Sequence, residues 1–340
     1  MRLLVTGGAG FIGSTFVRRT LANDSPEHLI VLDKLTYAGN LANLAEAAKD
    51  PRYEFVRGDI NDRPVVDQVM GRVDAIINFA AESHVDRSIE GADAFVMTDV
   101  HGAFTLLEAA RRHPIQRFVQ VSTDEVYGDV AVGSSTEADP LRPRSPYAAS
   151  KAAADLLSLA YHATYGLPVL ISRGSNTYGP RQYPEKVIPL FVTNAIDNEP
   201  VPLYGDGGQV RDWLHVDDHC DAIRLLLREG KAGEVYNVGG GTMLSNLELT
   251  HRLLGLSERP TSLIRHVADR PGHDRRYALD WSKIAALGWA PAVQLEDGLA
   301  ATVEWYRANP DWWRPLKDGS FRDFYRRQYA ERLAAGTRTA

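Results

Sequence analysis

Cysteine is nearly absent: Cys220 is the only one among 340 residues. A single thiol can form neither an intrachain disulfide nor a cysteine-based zinc site, and no metal is expected; a reducing compartment fits that usage best. Surplus positive charge is missing too, since 38 Lys and Arg face 44 Asp and Glu for a formal net charge of −6. That balance argues against a dedicated nucleic-acid or anionic-membrane binder. A small anionic ligand remains open, because a pocket is charged locally. No apolar run approaches the length of a bilayer span. No basic region, long apolar core or small-residue cleavage site precedes the first strand. The expectation is a soluble, cytoplasmic protein. Internal repeats, low-complexity tracts and long charge runs are lacking, and the last ten residues read as a frayed tail.

With 44% hydrophobic and 24% charged residues the composition is globular, which excludes disorder, collagen and coiled coil. At this length one core stops growing, so two cores, or a large domain with a smaller lobe, are expected. Short apolar runs at Leu3 to Thr6, Leu29 to Asp33, Tyr53 to Val56, Ala75 to Phe79, Phe118 to Ser122 and Val169 to Ser172 read as strands. Helical periodicity lies between them, at Gly10 to Leu21, around Arg63 to Val69, at Ala94 to Arg112 and at Ala148 to Tyr165. The alternation predicts an α/β fold with a Rossmann-type, doubly wound parallel sheet. After Arg173 the chain is richer in Pro and Gly and its elements are shorter. Residues 1–173 are expected to form the dinucleotide-binding domain, with return segments near 215–240. Residues 174–330 are expected to form a smaller mixed α/β substrate domain.

Gly8-Ala9-Gly10-Phe11-Ile12-Gly13 follows the first strand and opens the first helix, and Gly7 adds a Gly7, Gly10, Gly13 spacing. Such glycines permit a tight turn and a close backbone approach to a pyrophosphate seated on free helix amides. Asp33 ends the second strand 20 residues past Gly13, where a carboxylate binds both adenosine ribose hydroxyls and repels a 2′-phosphate. NAD is favoured over NADP, although Lys34 adjoins. Asp59 and Ala80-Ala81-Glu82 follow later strands at the edge where ligands of open α/β sheets bind. Each of these, taken alone, also reads as a helix cap.

Tyr147 and Lys151 stand one helical turn apart on one face. An ammonium beside a phenol favours phenolate, which makes a base for a hydroxyl proton. The same spacing is equally compatible with a plain core helix. Thr123-Asp124-Glu125 after the fifth strand shifts the balance, because two carboxyls in unlike surroundings divide into a proton donor and a proton acceptor, as loss of water requires. The bland reading of that triplet is an N-capping turn.

The runs Val5 to Gly13, Asp33 to Asn40, Ala80 to Ser88, Ser122 to Gly128 and Ser145 to Lys151 together resemble the dTDP-glucose 4,6-dehydratases, of the extended short-chain dehydrogenase/reductase group. The similarity continues through Pro184-Glu185-Lys186, Arg211-Asp212-Trp213 and Asp269 to Tyr277. The Asp124-Glu125 pair is its sharper marker, since epimerases and decarboxylases of the group usually lack an acid at the Asp124 position. The resemblance implies an internal redox cycle on a nucleotide-linked glucose with bound NAD. Tyr147, with Lys151 and Thr123, would deprotonate the C4 hydroxyl. Glu125 would take the C5 proton while Asp124 protonates the departing C6 hydroxyl. Implied cofactor contacts are Gly7, Gly10, Phe11, Ile12, Gly13, Asp33, Lys34, Thr36, Asp59, Ile60, Ala80 and Ala81, besides Tyr147 and Lys151. Implied contacts to the nucleotide and diphosphate are Asn176, Lys186, Val187, Arg211, Asn246, Arg270 and His273, with Pro202 and Tyr204 beside the base. Ser83, Asp86 and Arg87 are expected at the sugar.

The chain departs from the family pattern at Gly174, Thr177, Arg181-Gln182 and Asp99, the last standing where Asn is usual. These positions bear on nucleotide and sugar preference; UDP-glucose is the alternative substrate. An epimerase or decarboxylase is the second reading, and a catalytically silent dinucleotide sensor the third. The sensor reading predicts decay of Tyr147, Lys151 or the carboxyl pair, and all are present. Phe95, Val96, Val100, Phe104, Leu106 and Leu107 spread apolar surface around one helix, which needs a second burial surface. Relatives pair such helices, so a homodimer is implied, with a deep interior helix of a monomer as the alternative.

Overall fold

The computed structural model describes residues 1–317 and 319–336. Its strands are β1 (Arg2–Thr6), β2 (His28–Asp33), β3 (Tyr53–Arg57), β4 (Ala75–Asn78), β5 (Arg117–Thr123), β6 (Val169–Gly174), β7 (Asn176–Tyr178), β8 (Val201–Tyr204), β9 (Val210–His215), β10 (Val235–Val238), β11 (Met243–Ser245) and β12 (Ile264–Val267). Seven of them form a parallel sheet in the order β10-β6-β5-β4-β1-β2-β3. The sheet is Rossmann-type. Its inner strands are apolar without interruption because both faces are covered: Leu3 and Val5 enter one core and Leu4 the other. The strand order reverses between β1 and β4, the crevice where such sheets bind ligands.

Helix α1 (Phe11–Asn23) packs on one face of the sheet, and α2 (Arg63–Met70), α3 (Ala103–Arg112) and α4 (Pro146–Tyr165) on the other. Pro146 at its start and the Ser145 hydroxyl accepting from Ala148 N fix where α4 begins. The continuous helix expected over Ala94 to Arg112 is broken. A short turn at Asp93–Phe95 leads into a π-helical stretch, Val96–Gly102, before α3 starts. The polar Asp99 turns inward there, bonding outside its own helix, and Gly102 packs where a Cβ would stand 2.3 Å from Ile60 Cδ1.

The smaller lobe holds a three-stranded sheet, β11-β9-β7, and the parallel pair β12-β8. Its core gathers Tyr178, Phe191, Trp213, Leu249, Tyr306 and Trp313. Helix α5 (Val187–Ile196) lies in this lobe, whereas α6 (Val216–Glu229) and β10 belong to the large sheet. The frayed tail expected over the last ten residues is instead helical as far as Gly336, the end of α7 (Gly319–Gly336). Residues 337–340 lie outside the described residues. No helix among the described residues is long and apolar enough to cross a membrane.

Candidate active site

The turn after β1 is shaped by close packing. Gly7 has φ +66°, and a Cβ on it would lie 2.6 Å from Ala80 N, so the loops after β1 and β4 touch backbone to backbone. A Cβ on Gly13 would lie 2.4 Å from Gly7 O. Gly10 caps α1 with no side chain, so the first amides of the helix face the cleft uncapped. These features fit a dinucleotide pyrophosphate.

Asp33 is 9% exposed, and its carboxylate accepts from Ala9 N at 2.9 Å and Leu35 N at 2.8 Å. The two amides fix it at the cleft floor. Lys34 reaches Asp59, at 3.5 Å, and the Thr98 hydroxyl, at 3.2 Å. The cleft is lined along one wall by Gly7, Gly10, Phe11, Ile12, Gly13, Asp33, Lys34, Thr36, Asp59, Ile60, Ala80 and Ala81. Ser83, Thr123, Asp124, Glu125, Tyr147, Lys151, Asn176 and Lys186 line the rest of it.

At the centre, Lys151 is buried and its Nζ donates to Val121 O at 2.7 Å, which ties α4 to β5. Burial, with Glu125 and Asp99 nearby, holds the Tyr147 phenol well above its ordinary range, while a hydrogen bond from Thr123 acts the other way. The neighbouring acids differ. Asp124 is 3% exposed; its Oδ1 accepts from the Thr123 hydroxyl at 3.1 Å, and its Oδ2 has no partner among the described residues. Burial and then the Glu125 charge push Asp124 well above the usual carboxylate range. Glu125 is raised by burial too, but Arg270, Arg211 and Lys186 all pull it back toward the ionised form. The two acids thus sit in unlike fields: Arg211 and the Thr123 hydroxyl oppose the rise at Asp124, whereas three cations oppose it at Glu125.

The remaining expected residues, Asp86, Arg87, Val187, Pro202, Tyr204, Arg211, Asn246, Arg270 and His273, are not part of this lining. Asp86 accepts from the Tyr204 hydroxyl at 2.9 Å and from Arg270 at 3.4 Å. His273 bonds Asp269 at 2.6 Å and meets the Tyr204 ring edge-on. Arg211 lies over the Tyr277 ring and donates to Asp274 O. Pro202 sits within β8, Val187 opens α5, and Asn246 opens the Asn246–Leu256 helix with its amide on Gln209 O. Arg87 does not line the cleft. It is paired with Glu185 at 2.9 Å and sandwiched between the Tyr37 and Phe324 rings.

Sequence reasoning missed Thr98, Tyr183 and His219, which line the same cleft. His219 arrives on α6, its Nδ1 2.8 Å from the Thr177 hydroxyl and its Nε2 buried without a partner among the described residues. Nothing local signals it, because α6 reaches the cleft only after the chain has crossed the second lobe.

The sequence model of the GDP-mannose 4,6 dehydratase family matches residues 4–302. A dTDP-glucose 4,6-dehydratase of Streptomyces niveus is 57% identical over 322 residues, covering 93% of this chain and 96% of its own. The structure of a dTDP-glucose 4,6-dehydratase from Streptomyces venezuelae, solved with NAD and dTDP bound, is 58% identical. It superposes with a TM-score of 0.92 over 93% of this chain and all of that one. A UDP-glucuronic acid 4-epimerase from Bacillus cereus shares the fold at TM-score 0.86, with 28% identity over 91% of this chain and 99% of that one. The chain belongs to the dTDP-glucose 4,6-dehydratase family.

Proposed function

We propose that this enzyme converts dTDP-glucose to dTDP-4-keto-6-deoxyglucose, as a hydro-lyase that uses NAD without net consumption. The observation that carries the reading is the unlike pair at the end of β5: Asp124, with one buried oxygen unpartnered among the described residues, is pushed well above the carboxylate range by burial and by Glu125, whereas Arg270, Arg211 and Lys186 oppose the rise at Glu125. NAD, when bound, accepts hydride from C4 and returns it to C6. Tyr147 takes the C4 hydroxyl proton, with Lys151 favouring the phenolate and Thr123 donating to the same oxygen. The resulting 4-ketone acidifies the C5 proton. Glu125 removes that proton as Asp124 protonates the C6 hydroxyl, and water leaves. Glu125 then gives its proton back to C5. Each acid or base role is worth about a hundred- to ten-thousandfold in rate.

In this reading residues 1–173, with the return near 215–240, hold NAD through the glycine turn, Asp33 and the walls around them. Residues 174–330 hold the nucleotide sugar. Asn176, Lys186, Arg211, Asn246, Arg270 and His273 address the diphosphate and nucleoside, because a dianionic bridge calls for fixed cationic donors. Pro202 and Tyr204 flank the base, Val187 belongs to the same substrate site, and Ser83, Asp86 and Arg87 stand at the hexose. The chain works as a cytoplasmic homodimer: Val96, Met97 and Leu156 are about half exposed on the stretch before α3 and on α4, an apolar face that a second copy would cover.

Incubation of the purified protein with dTDP-glucose should yield a 4-keto sugar that absorbs in alkali, with no net NADH. A C4 epimer, or no turnover with any nucleoside diphosphate glucose, rejects the assignment. Running UDP-glucose alongside decides the nucleotide preference. An epimerase would leave Asp124 without a task.

A further inference from the structure

We propose that Asp99 is a positioning residue of the Tyr147–Lys151 pair, and that its charge sets the acid limb of the reaction. The inference rests on the catalytic reading above and adds to it a residue of another element. Asp99 is 3% exposed, in the middle of the π-helical stretch Val96–Gly102. Its Oδ1 accepts from Glu82 N at 2.8 Å, and its Oδ2 accepts from the Ser150 hydroxyl at 2.7 Å. A single carboxyl therefore ties the loop after β4, which lines the cofactor cleft, to the residue preceding Lys151. The Ser150 hydroxyl is also 2.8 Å from Tyr147 O, so the link reaches both members of the pair.

The charges around Asp99 come from several elements. Lys151 and Tyr147 face it from α4 and Glu82 from the loop after β4. Lys34, past the end of β2, reaches the adjacent Thr98 and pairs with Asp59. On its own stretch, His101 bonds Asn61. Burial lifts Asp99 to about 6, with Lys151 and the Ser150 and Glu82 hydrogen bonds opposing the rise. Above that pH a buried anion stands beside the ammonium whose field the phenolate needs, and it pushes the Tyr147 phenol upward. Asn at this position would preserve both contacts: its oxygen would accept from Glu82 N and its NH2 would donate to Ser150. It would carry no charge. The carboxylate thus supplies an electrostatic effect separable from its hydrogen bonds.

The test is the pH profile of turnover in wild type and Asp99→Asn, each scaled to its own plateau. Loss of the negative charge lowers the Tyr147 phenol, so the acid limb of D99N should move down by about 0.5–1 pH unit. That is a gain of roughly three- to tenfold in relative rate on the limb. A purely structural role would lower the plateau and leave the limb in place, and coincident scaled profiles overturn the proposal. A second readout needs no substrate, and so separates failure here from failure of the hexose assignment. Infrared titration of the holoenzyme, taken as the difference between wild type and Asp99→Asn so that Asp212 and the other raised carboxyls cancel, should show a protonated-carboxyl band growing in as pH falls through about 6. In Ser150→Ala, which keeps the carboxyl and removes one donor, the midpoint of that band should move up. A band unmoved by S150A, or absent in that range, also overturns the proposal.

Discussion

Lys151 is hydrogen-bonded through its ammonium to the carbonyl of Val121, two residues before Thr123. The bond holds helix α4 against the strand whose end carries both acids, so the Tyr147 phenol and the Asp124 and Glu125 carboxyls share one rigid frame. On the proposed mechanism, oxidation at C4 and elimination across C5 and C6 rest on different members of that frame and are separable by substitution.

Glu125→Gln should stop the reaction after the first step. Oxidation at C4 needs Tyr147 and Lys151, which this change leaves in place, whereas removal of the C5 proton has no base. Turnover should fall by about a hundred- to ten-thousandfold, and reduced cofactor should accumulate on the enzyme, read as its near-ultraviolet absorbance on mixing with dTDP-glucose. An unaltered turnover rate would remove Glu125 from this role.

Gly13→Ala should weaken cofactor binding. The added methyl would lie 2.4 Å from Gly7 O and 2.9 Å from Gly8 Cα, backbone atoms that move only if the turn itself opens. Overpacking of this kind costs about 1–3 kcal/mol. NAD affinity, measured by calorimetry on cofactor-free protein, should drop by about tenfold or more. Wild-type affinity would show that the turn yields without cost.

Asp155→Ala should destabilise the fold. Asp155 and Arg173 are an ion pair at 2.9 Å with side chains 0% and 3% exposed, and Arg173 also donates to the Tyr127 hydroxyl. Removing one partner strands a buried guanidinium, at about 3–5 kcal/mol. Urea denaturation should show the lowered midpoint; a change within half a kcal/mol would mean that water reaches Arg173 readily.

His219 should steepen the acid sensitivity of stability. Burial pushes its imidazole down to about 4, so between about 6.5 and 4 the unfolded chain takes up a proton that the folded one refuses. Stability from this group is full above that window and is lost as pH falls through it. Asp99 and Asp212, both raised to about 6, act oppositely over about pH 4–6: there the folded state binds protons that unfolded carboxylates do not, so their contribution is lost as pH rises. His219→Gln removes this contribution, while His273, also pushed down to about 4, and the two carboxyls keep theirs. Its denaturation midpoint should fall less than that of wild type between pH 6.5 and 4.5, and parallel curves would rule the imidazole out.

The Gly7 to Gly13 turn, Asp33, the Thr123 to Glu125 triplet and the Tyr147–Lys151 spacing were legible because each is local. A strand, a tight turn and a helix start bring neighbours in the chain together whatever the rest of the molecule does. The break in the helix before α3 was not legible, since the apolar pattern of Phe95, Val96, Val100 and Phe104 suits an α-helix and the π-helical stretch follows from Asp99 bonding outside it. The surroundings of Arg87 were not legible either, since Glu185, Tyr37 and Phe324, which enclose it, come from three distant parts of the chain.

By itself, then, the order of residues determined the sheet, the glycine turn, the family and the local motifs that carry the proposed reacting groups. Tertiary structure alone decided that Asp124 and Glu125, adjacent in the chain and alike in chemistry, stand in different electrostatic surroundings. The reason is that a carboxyl titrates in the summed field and solvent access of its neighbours in space. For Glu125 those neighbours are Lys186, Arg211 and Arg270, which only the docking of the second lobe brings within reach.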